Sequence, residues 1–237
     1  MDQNVSSKHV AELRIHREQT LLVAVLLALA GGYLEAYTWI VHGVFANAQT
    51  ANLVLLWIHA MAGEWVRAFH YLPPLMAFVL GVTTASWLRH FAGTRAGRIS
   101  IQVEIAFLFL VGFLHNRFPA VAGTLGISFV AAMQTASFPR VEEWSYSSVM
   151  ATSNLRQAIE GLFAAVAGRG GLRPFRQPRA FAAICAAFGV GAAMGAYVTE
   201  QVPAWALAIP VMLLLIALLR CLERGRDPRA SSQSPAE

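Results

Sequence analysis

Two short polar stretches, each embedded in apolar sequence, hold most of the residues that could do chemistry. Both contain the pattern Thr-x-Asn-Leu followed by a helix-compatible run. The candidate residues are Asn47, Gln49, Thr50 and Asn52 in the first stretch and Thr152, Asn154 and Arg156 in the second. In hydrocarbon an unpaired polar group costs several kcal/mol, so such stretches lie against protein or line a wet cavity. A half-helix that begins at each stretch would direct its free N–H groups and its positive end toward the middle of the membrane, where they could bind a solute.

The same residues also have a structural interpretation. Thr and Asn favour helix N-caps, and in membranes they form hydrogen bonds to neighbouring helices. Arg156 and Glu160 are four residues apart and would pair on one helix face. That pairing is slightly preferred to a role of Arg156 as an anion contact.

Glu35 is the strongest single candidate for a functional residue. A carboxylate deep in an apolar span is costly and usually faces a cavity or a partner, so Glu35 would bind a proton, a cation or a substrate. In the alternative, Glu35 lies near the outer end of its span and reaches the headgroups. Gln134 occupies the corresponding position later in the chain, and Glu104 is expected to lie one turn inside its span and to reach the cytoplasmic surface.

Enzyme and metal signatures are missing from the sequence. The seven histidines are scattered, without HExxH or a paired spacing, and no P-loop, GxSxG or GxGxxG occurs in a credible context. We therefore predict no catalytic residue, no metal, no cofactor and no enzymatic activity.

Composition defines the elements that must position these residues. The chain has 237 residues, of which 57% are hydrophobic and 13% are charged, whereas a soluble domain has about 25% charged residues. The apolar runs are long enough to cross a bilayer, which takes about 20 residues. Because the Arg residues flank these runs, the net charge of +5 indicates membrane orientation rather than nucleic-acid binding. The fold class is therefore an all-α polytopic membrane protein.

We predict six transmembrane helices and two polar helices that are re-entrant or broken. Residues 1–19 would form a cytoplasmic tail, 20–118 a first membrane repeat, 119–219 a second, and 220–237 a disordered cytoplasmic tail. The predicted spans are 20–42, 73–91, 100–116, 119–138, 180–199 and 203–219, with the polar segments at 43–63 and 145–167.

Three segments recur in the same order and suggest an internal duplication. The matching pairs are 35–38 with 134–137, 50–53 with 152–155, and 78–81 with 188–191. With six spans, fifteen Lys and Arg residues lie inside and two outside; with eight spans the division is thirteen and four. The positive-inside rule favours six spans, an inverted 3+3 repeat and two cytoplasmic termini. Eight spans in a parallel 4+4 repeat is the alternative.

Residues 31–37, 45–53 and 152–155 resemble the YoaK-like family of bacterial integral membrane proteins of unknown function, over about residues 21–219. The chain departs from the family pattern at Glu35, where the family has Asp, and at Ala51 and Ser153, where it has Gly. The resemblance implies a multi-pass protein of the bacterial cytoplasmic (inner) membrane, and it supplies no activity.

Two functional hypotheses follow. The first is a small-solute transporter or channel with a site between the repeats at the midplane, whose partners are the lipid bilayer and a small polar or anionic solute. The second is a non-transporting membrane module that assembles with a partner or senses the membrane. A homo-oligomer stays open under both hypotheses, and nucleic acid is not expected.

Overall fold

The computed structural model describes residues 19–114, 120–169 and 173–222. Most of the predicted N-terminal tail, the predicted C-terminal tail from residue 223 and the predicted boundary between repeats at 118/119 lie outside these residues. Within the described ranges the elements are α1 (Leu21–His42), α2 (Gln49–Met61), α3 (Trp65–His70), α4 (Leu72–Ala92), α5 (Ala96–Leu114), α6 (Ala120–Ser137), β1 (Arg140–Val141), β2 (Trp144–Ser145), α7 (Ala151–Val166), α8 (Arg176–Gln201) and α9 (Ala208–Leu222), with 3-10 turns at Gly93–Arg95 and Pro203–Trp205.

Four helical stretches of the described chain are long and apolar enough to cross a membrane. They are Leu21–His42, Trp65–Leu114, Arg176–Gln201 and Pro203–Leu222. The second is 50 residues long and includes both α4 and α5. These apolar helices indicate a multi-pass membrane protein of the all-α class.

Local sequence explains where α1 begins and ends. Thr20 is its N-cap, with a hydroxyl that accepts from the N–H of Val23 at 3.5 Å. At the other end Gly43 has φ 66°, and its N–H donates to the Trp39 carbonyl. A left-handed residue favours glycine, which has no β carbon to clash. The chain therefore leaves α1 sharply and enters the first polar stretch.

The longest helices pack as two close pairs, α1 with α8 and α4 with α6. Glycine makes both pairs close. A β carbon at Gly191 of α8 would collide with the carbonyl oxygen of Leu29, and one at Gly81 of α4 would collide with that of Phe129. Small residues of this kind let helix backbones approach in membranes.

The apolar core lies in two clusters. One joins α1, α5, α6 and α9, with Leu34, Ile101, Ile127 and Leu214 fully buried. The other surrounds Phe181 of α8 and faces the hairpin and α7. Together they fix α1 and α6, which bring the candidate residues inward.

The β-hairpin between α6 and α7 was not predicted from the sequence. Arg140 pairs with Ser145 and Val141 with Trp144, and Glu142 in the turn has φ 52°. The Glu142 carboxylate lies 2.8 Å from Nε of Arg176, which ties the hairpin to the start of α8. A positive φ at Glu has no clear sequence signal, since Asn and Gly are the usual residues there.

Candidate functional site

Glu35 is buried in α1 and holds the first polar loop. Its side chain is 5% exposed, and Oε1 accepts from the backbone N–H of Asn47 at 2.7 Å. The backbone N–H groups of Ala46 and Ala48 also face the carboxylate. The alternative in which Glu35 reaches the headgroups does not hold, because the loop that follows α1 folds back over the carboxylate.

Asn52 closes this loop on itself. Its Oδ1 accepts from the N–H of Phe45 at 3.0 Å, and its Nδ2 donates to the Phe45 carbonyl at 2.8 Å. Nδ2 also donates to Oε1 of Gln49 at 3.0 Å, while Nε2 of Gln49 donates to the Ala46 carbonyl at 2.8 Å. Asn52 is therefore a clamp on the loop backbone and not a helix cap; the N-cap of α2 is Ala48, which makes no side-chain bond.

Asn154 makes the same pair of bonds in the second loop. Its Nδ2 donates to the carbonyl of Ser147 at 2.6 Å and its Oδ1 accepts from the Ser147 N–H at 3.5 Å, again across seven residues. The neighbouring Ser148 hydroxyl donates to Oε1 of Gln134 at 3.2 Å. Gln134 thus meets the second loop as Glu35 meets the first.

Glu104 does not reach the cytoplasmic surface. Because α5 begins at Ala96 and ends at Leu114, Glu104 lies near its midpoint, and its side chain is 1% exposed. The amide of Gln134 faces its carboxyl group, but the two do not meet at hydrogen-bond geometry. Sequence reasoning assigned Glu104 no role, although the signal was present: a carboxyl group far inside an apolar span is rare and is usually functional.

Among the described residues, twelve buried side-chain polar atoms have no hydrogen-bond partner. Seven of them belong to these side chains and to Ser128: Oε2 of Glu35, Nδ2 and Oδ1 of Asn47, both carboxyl oxygens of Glu104, Nε2 of Gln134 and Oγ of Ser128. We call these seven atoms the orphan groups.

The second loop also reaches α1, since a β carbon at Gly31, one turn before Glu35, would contact Val149 and the Ser148 carbonyl.

The remaining sequence-predicted residues lie elsewhere. Thr50 and Thr152 are exposed near the starts of α2 and α7. Arg156 is also exposed, and its Nε lies 3.8 Å from Oε1 of Glu160. The structure therefore brings together Glu35, Asn47, Gln49 and Asn52 around one loop and Gln134 and Asn154 around the other, and leaves these three outside. Among the described residues, no group of three or more His, Cys, Asp or Glu side chains is placed to hold a metal ion.

The comparison with protein families gives one match, to a family described as a protein of unknown function (DUF1275), over residues 23–220. The match covers most of the chain, which therefore belongs to this family. A search of curated proteins and a search of solved structures each find no match. The family agrees with the resemblance drawn from the motifs in having no known function, and the YoaK-like name stays a prediction.

Proposed function

We propose that this protein is a small-solute transporter whose binding site lies between two inverted repeats near the middle of the membrane. The orphan groups carry this proposal. A buried polar atom without a partner costs about 1–3 kcal/mol, and native proteins keep few of them. The orphan groups come from Glu35, Asn47, Glu104, Ser128 and Gln134, which belong to both predicted repeats. A polar ligand that pairs with these atoms would offset their cost.

The matched loops support an internal repeat. In a comparison of the two predicted repeats, α1 corresponds to α6, α2 to α7 and α4 to α8. Under this correspondence the contact between α1 and α8 is equivalent to the contact between α6 and α4. These are the two most extensive helix contacts of the described chain. The clamps at Asn52 and Asn154 are related in the same way.

The lengths of the two polar helices support six spans. α2 has 13 residues and α7 has 16. At about 1.5 Å per residue they are roughly 20 and 24 Å long, shorter than the hydrocarbon core of about 30 Å. Both helices would therefore end inside the membrane or at its edge, with their first turns beside the buried loops.

The burial of the site favours a transporter over an open channel. Glu35 and Asn47 are each 5% exposed and Glu104 and Gln134 each 1%. A site closed to solvent, between two halves that pack on each other, is the arrangement that alternating access requires.

Flux measurements test the proposal. The purified protein is reconstituted in liposomes and assayed with a panel of small polar solutes, alongside Glu35→Gln and, as a matched control, Glu160→Gln on the exposed face of α7. We expect uptake of a subset of the panel, its loss in Glu35→Gln and its retention in Glu160→Gln. Absence of flux across the whole panel, with Glu35→Gln and Asn52→Ala neutral in cells, would contradict it.

A single cysteine at Arg67 or at Arg95, with Cys185 and Cys221 replaced by Ala, tests the topology. With six spans a membrane-impermeant thiol reagent applied to intact cells labels position 67 and not position 95. The reverse pattern would support eight spans and a parallel repeat.

The second candidate is a non-transporting module that assembles with a partner, and one observation favours it. The side chains of Asn52 and Asn154 make their hydrogen bonds within the protein and hold both loops closed, as a rigid scaffold would require. This candidate predicts stable co-purification with one specific membrane protein and no flux with any solute.

A further inference from the structure

Glu104 differs from Glu35 in what surrounds its carboxyl group. Glu35 faces three successive backbone N–H groups, at residues 46–48. In the described chain, the carboxyl group of Glu104 interacts with the Gln134 amide alone, and neither of its oxygens makes a hydrogen bond. Glu104 therefore makes no bond like the one between Oε1 of Glu35 and the backbone N–H of Asn47.

Among the described residues, the groups that act on this carboxyl include no positive charge. α6 has no charged residue in Ala120–Ser137. The titratable side chains of the other neighbours, and of α5 itself, are Tyr33, Glu35, Tyr37 and His42 of α1, Arg89 and His90 of α4, Arg95 of the 3-10 turn, Arg98 of α5, and Arg220 and Cys221 of α9. None of them is among the groups that act on Glu104.

An ionised carboxylate in such surroundings is strongly disfavoured. Burial of a charge without a counter-charge or hydrogen bonds costs so much that the group takes up a proton instead. A neutral carboxyl fits the amide beside it, because it can donate to Oε1 of Gln134 or accept from Nε2. The proton also needs no cavity, which agrees with the 1% exposure of Glu104.

Two serines extend the polar contact toward the end of α6. Ser100 and Ser137, one turn along the same α5–α6 interface, approach to 2.7 Å between their hydroxyl oxygens. Ser100 is buried and Ser137 is half-buried. We call Ser100, Glu104, Gln134 and Ser137 the polar seam. It leads from the carboxyl of Glu104 toward the surface.

We propose that Glu104 is a proton-binding site that is occupied in this closed arrangement and that exchanges its proton along the polar seam. Binding forms one O–H bond on a carboxylate oxygen of Glu104, with a proton taken from water at the membrane surface and returned there on release. The proton site stands independently of transport. Its use as the coupling ion, which would make the transporter proton-driven, rests on the proposed function.

Infrared spectroscopy of the purified full-length protein tests the proton site. We expect the C=O stretch of a protonated carboxyl at neutral pH, lost in Glu104→Gln and retained in Glu160→Gln, whose side chain is exposed. A wild-type spectrum without this band, or a band unchanged in Glu104→Gln, would overturn the site. So would a band that appears only after alkali ions are removed, because a metal ion would then occupy the carboxyl.

A second variant covers the case in which Glu104→Gln does not fold. Gln134→Leu removes the amide neighbour and leaves the carboxyl in place, so we expect the band to persist and to shift in frequency. A band with unchanged frequency would place the protonated carboxyl elsewhere and overturn the assignment.

Liposomes with an imposed pH gradient separate the two proposals. We expect the gradient to drive solute uptake in the wild type and to lose that effect in Glu104→Gln. Solute uptake that does not depend on the pH gradient would overturn the role of Glu104 in proton coupling. If no solute is taken up at all, the transporter proposal fails and the infrared result alone decides the proton site.

Discussion

The two polar loops share a backbone clamp and differ in the side chain that meets the loop. In both, an Asn at the start of a short helix bonds both backbone groups of the residue seven positions earlier. In the first loop the helix partner is the carboxylate of Glu35, and in the second it is the amide of Gln134. The clamp is therefore common to both loops, while the side chain at the contact differs between them.

The second loop is associated with a carboxyl group that comes from α5, a helix of the first predicted repeat. Glu104 of α5 faces Gln134, so each loop has one buried carboxyl group close to it. The two carboxyls have different surroundings, because backbone N–H groups face Glu35 and an amide side chain faces Glu104. We expect this difference to give the two carboxyls different roles.

The largest expected effect tests whether the two helix pairs are equivalent. Gly191→Ala and Gly81→Ala each place a β carbon against a backbone carbonyl of the facing helix. Overpacking typically costs about 1–3 kcal/mol and occasionally more, and a clash with backbone belongs at the upper end. Gly189→Ala, whose β carbon would meet open space, should be neutral or stabilising by up to about 1 kcal/mol. Thermal denaturation in detergent, followed by size-exclusion chromatography, ranks the three. Equal stability of Gly191→Ala and Gly189→Ala would refute the close approach of α1 and α8.

Removal of the clamps should come next. Asn52→Ala and Asn154→Ala each leave a backbone N–H and a carbonyl without a partner, at residues 45 and 147. We expect each variant to lose about 2–4 kcal/mol of stability. Asn52→Ala should lose more, because it also breaks the bond to Gln49. The same denaturation assay measures both. If only one variant loses stability, the clamps do not have the same role in the two halves.

Glu35→Gln makes the first loop chemically like the second. The amide oxygen can still accept from the Asn47 N–H, so we expect stability within about 1 kcal/mol of the wild type. Solute flux, in contrast, should be lost. A variant that transports normally would show that the charge difference between the loops has no function.

The smallest expected effect lies outside the spans, in the turn after α2. Oε2 of Glu64 is 2.6 Å from Nδ1 of His59 and 3.0 Å from a guanidinium nitrogen of Arg67. These hydrogen bonds, the one from His59 first, hold the pKa of Glu64 below its ordinary value. A lowered pKa means that the stabilisation is present above the ordinary pKa and is lost as the pH falls through the lowered one.

Glu64→Gln should therefore reduce stability slightly at neutral pH and not at all in acid. The turn after α7 contains no carboxylate in residues 167–169, so substitutions there provide the control. Denaturation curves at several pH values would contradict this prediction if Glu64→Gln lost the same stability in acid as at neutral pH.

The sequence predicts the long helices better than it predicts the site. The predicted spans 20–42, 73–91 and 119–138 coincide within a few residues with the helices α1, α4 and α6, because the apolar runs are as long as hydrocarbon requires. Asn52 and Asn154 are recognisable as a pair, but their action as clamps depends on how each loop folds back, which no local pattern encodes. Glu104 was misplaced because α5 begins at Ala96, four residues before the predicted span. That single turn moves the carboxyl from the membrane edge to the helix midpoint.

The glycine crossings also limit how this protein can move. The carbonyl oxygens of Leu29 and Phe129 occupy the gaps left by Gly191 and Gly81. A slide of one helix along its partner by a single residue would drive a β carbon into a carbonyl oxygen. Each pair, α1–α8 and α4–α6, should therefore travel as a rigid arm. If the protein is the proposed transporter, access to the buried carboxyls would require the two helix pairs to move apart, and the hinge residues would be sought in the loops that Asn52 and Asn154 hold closed.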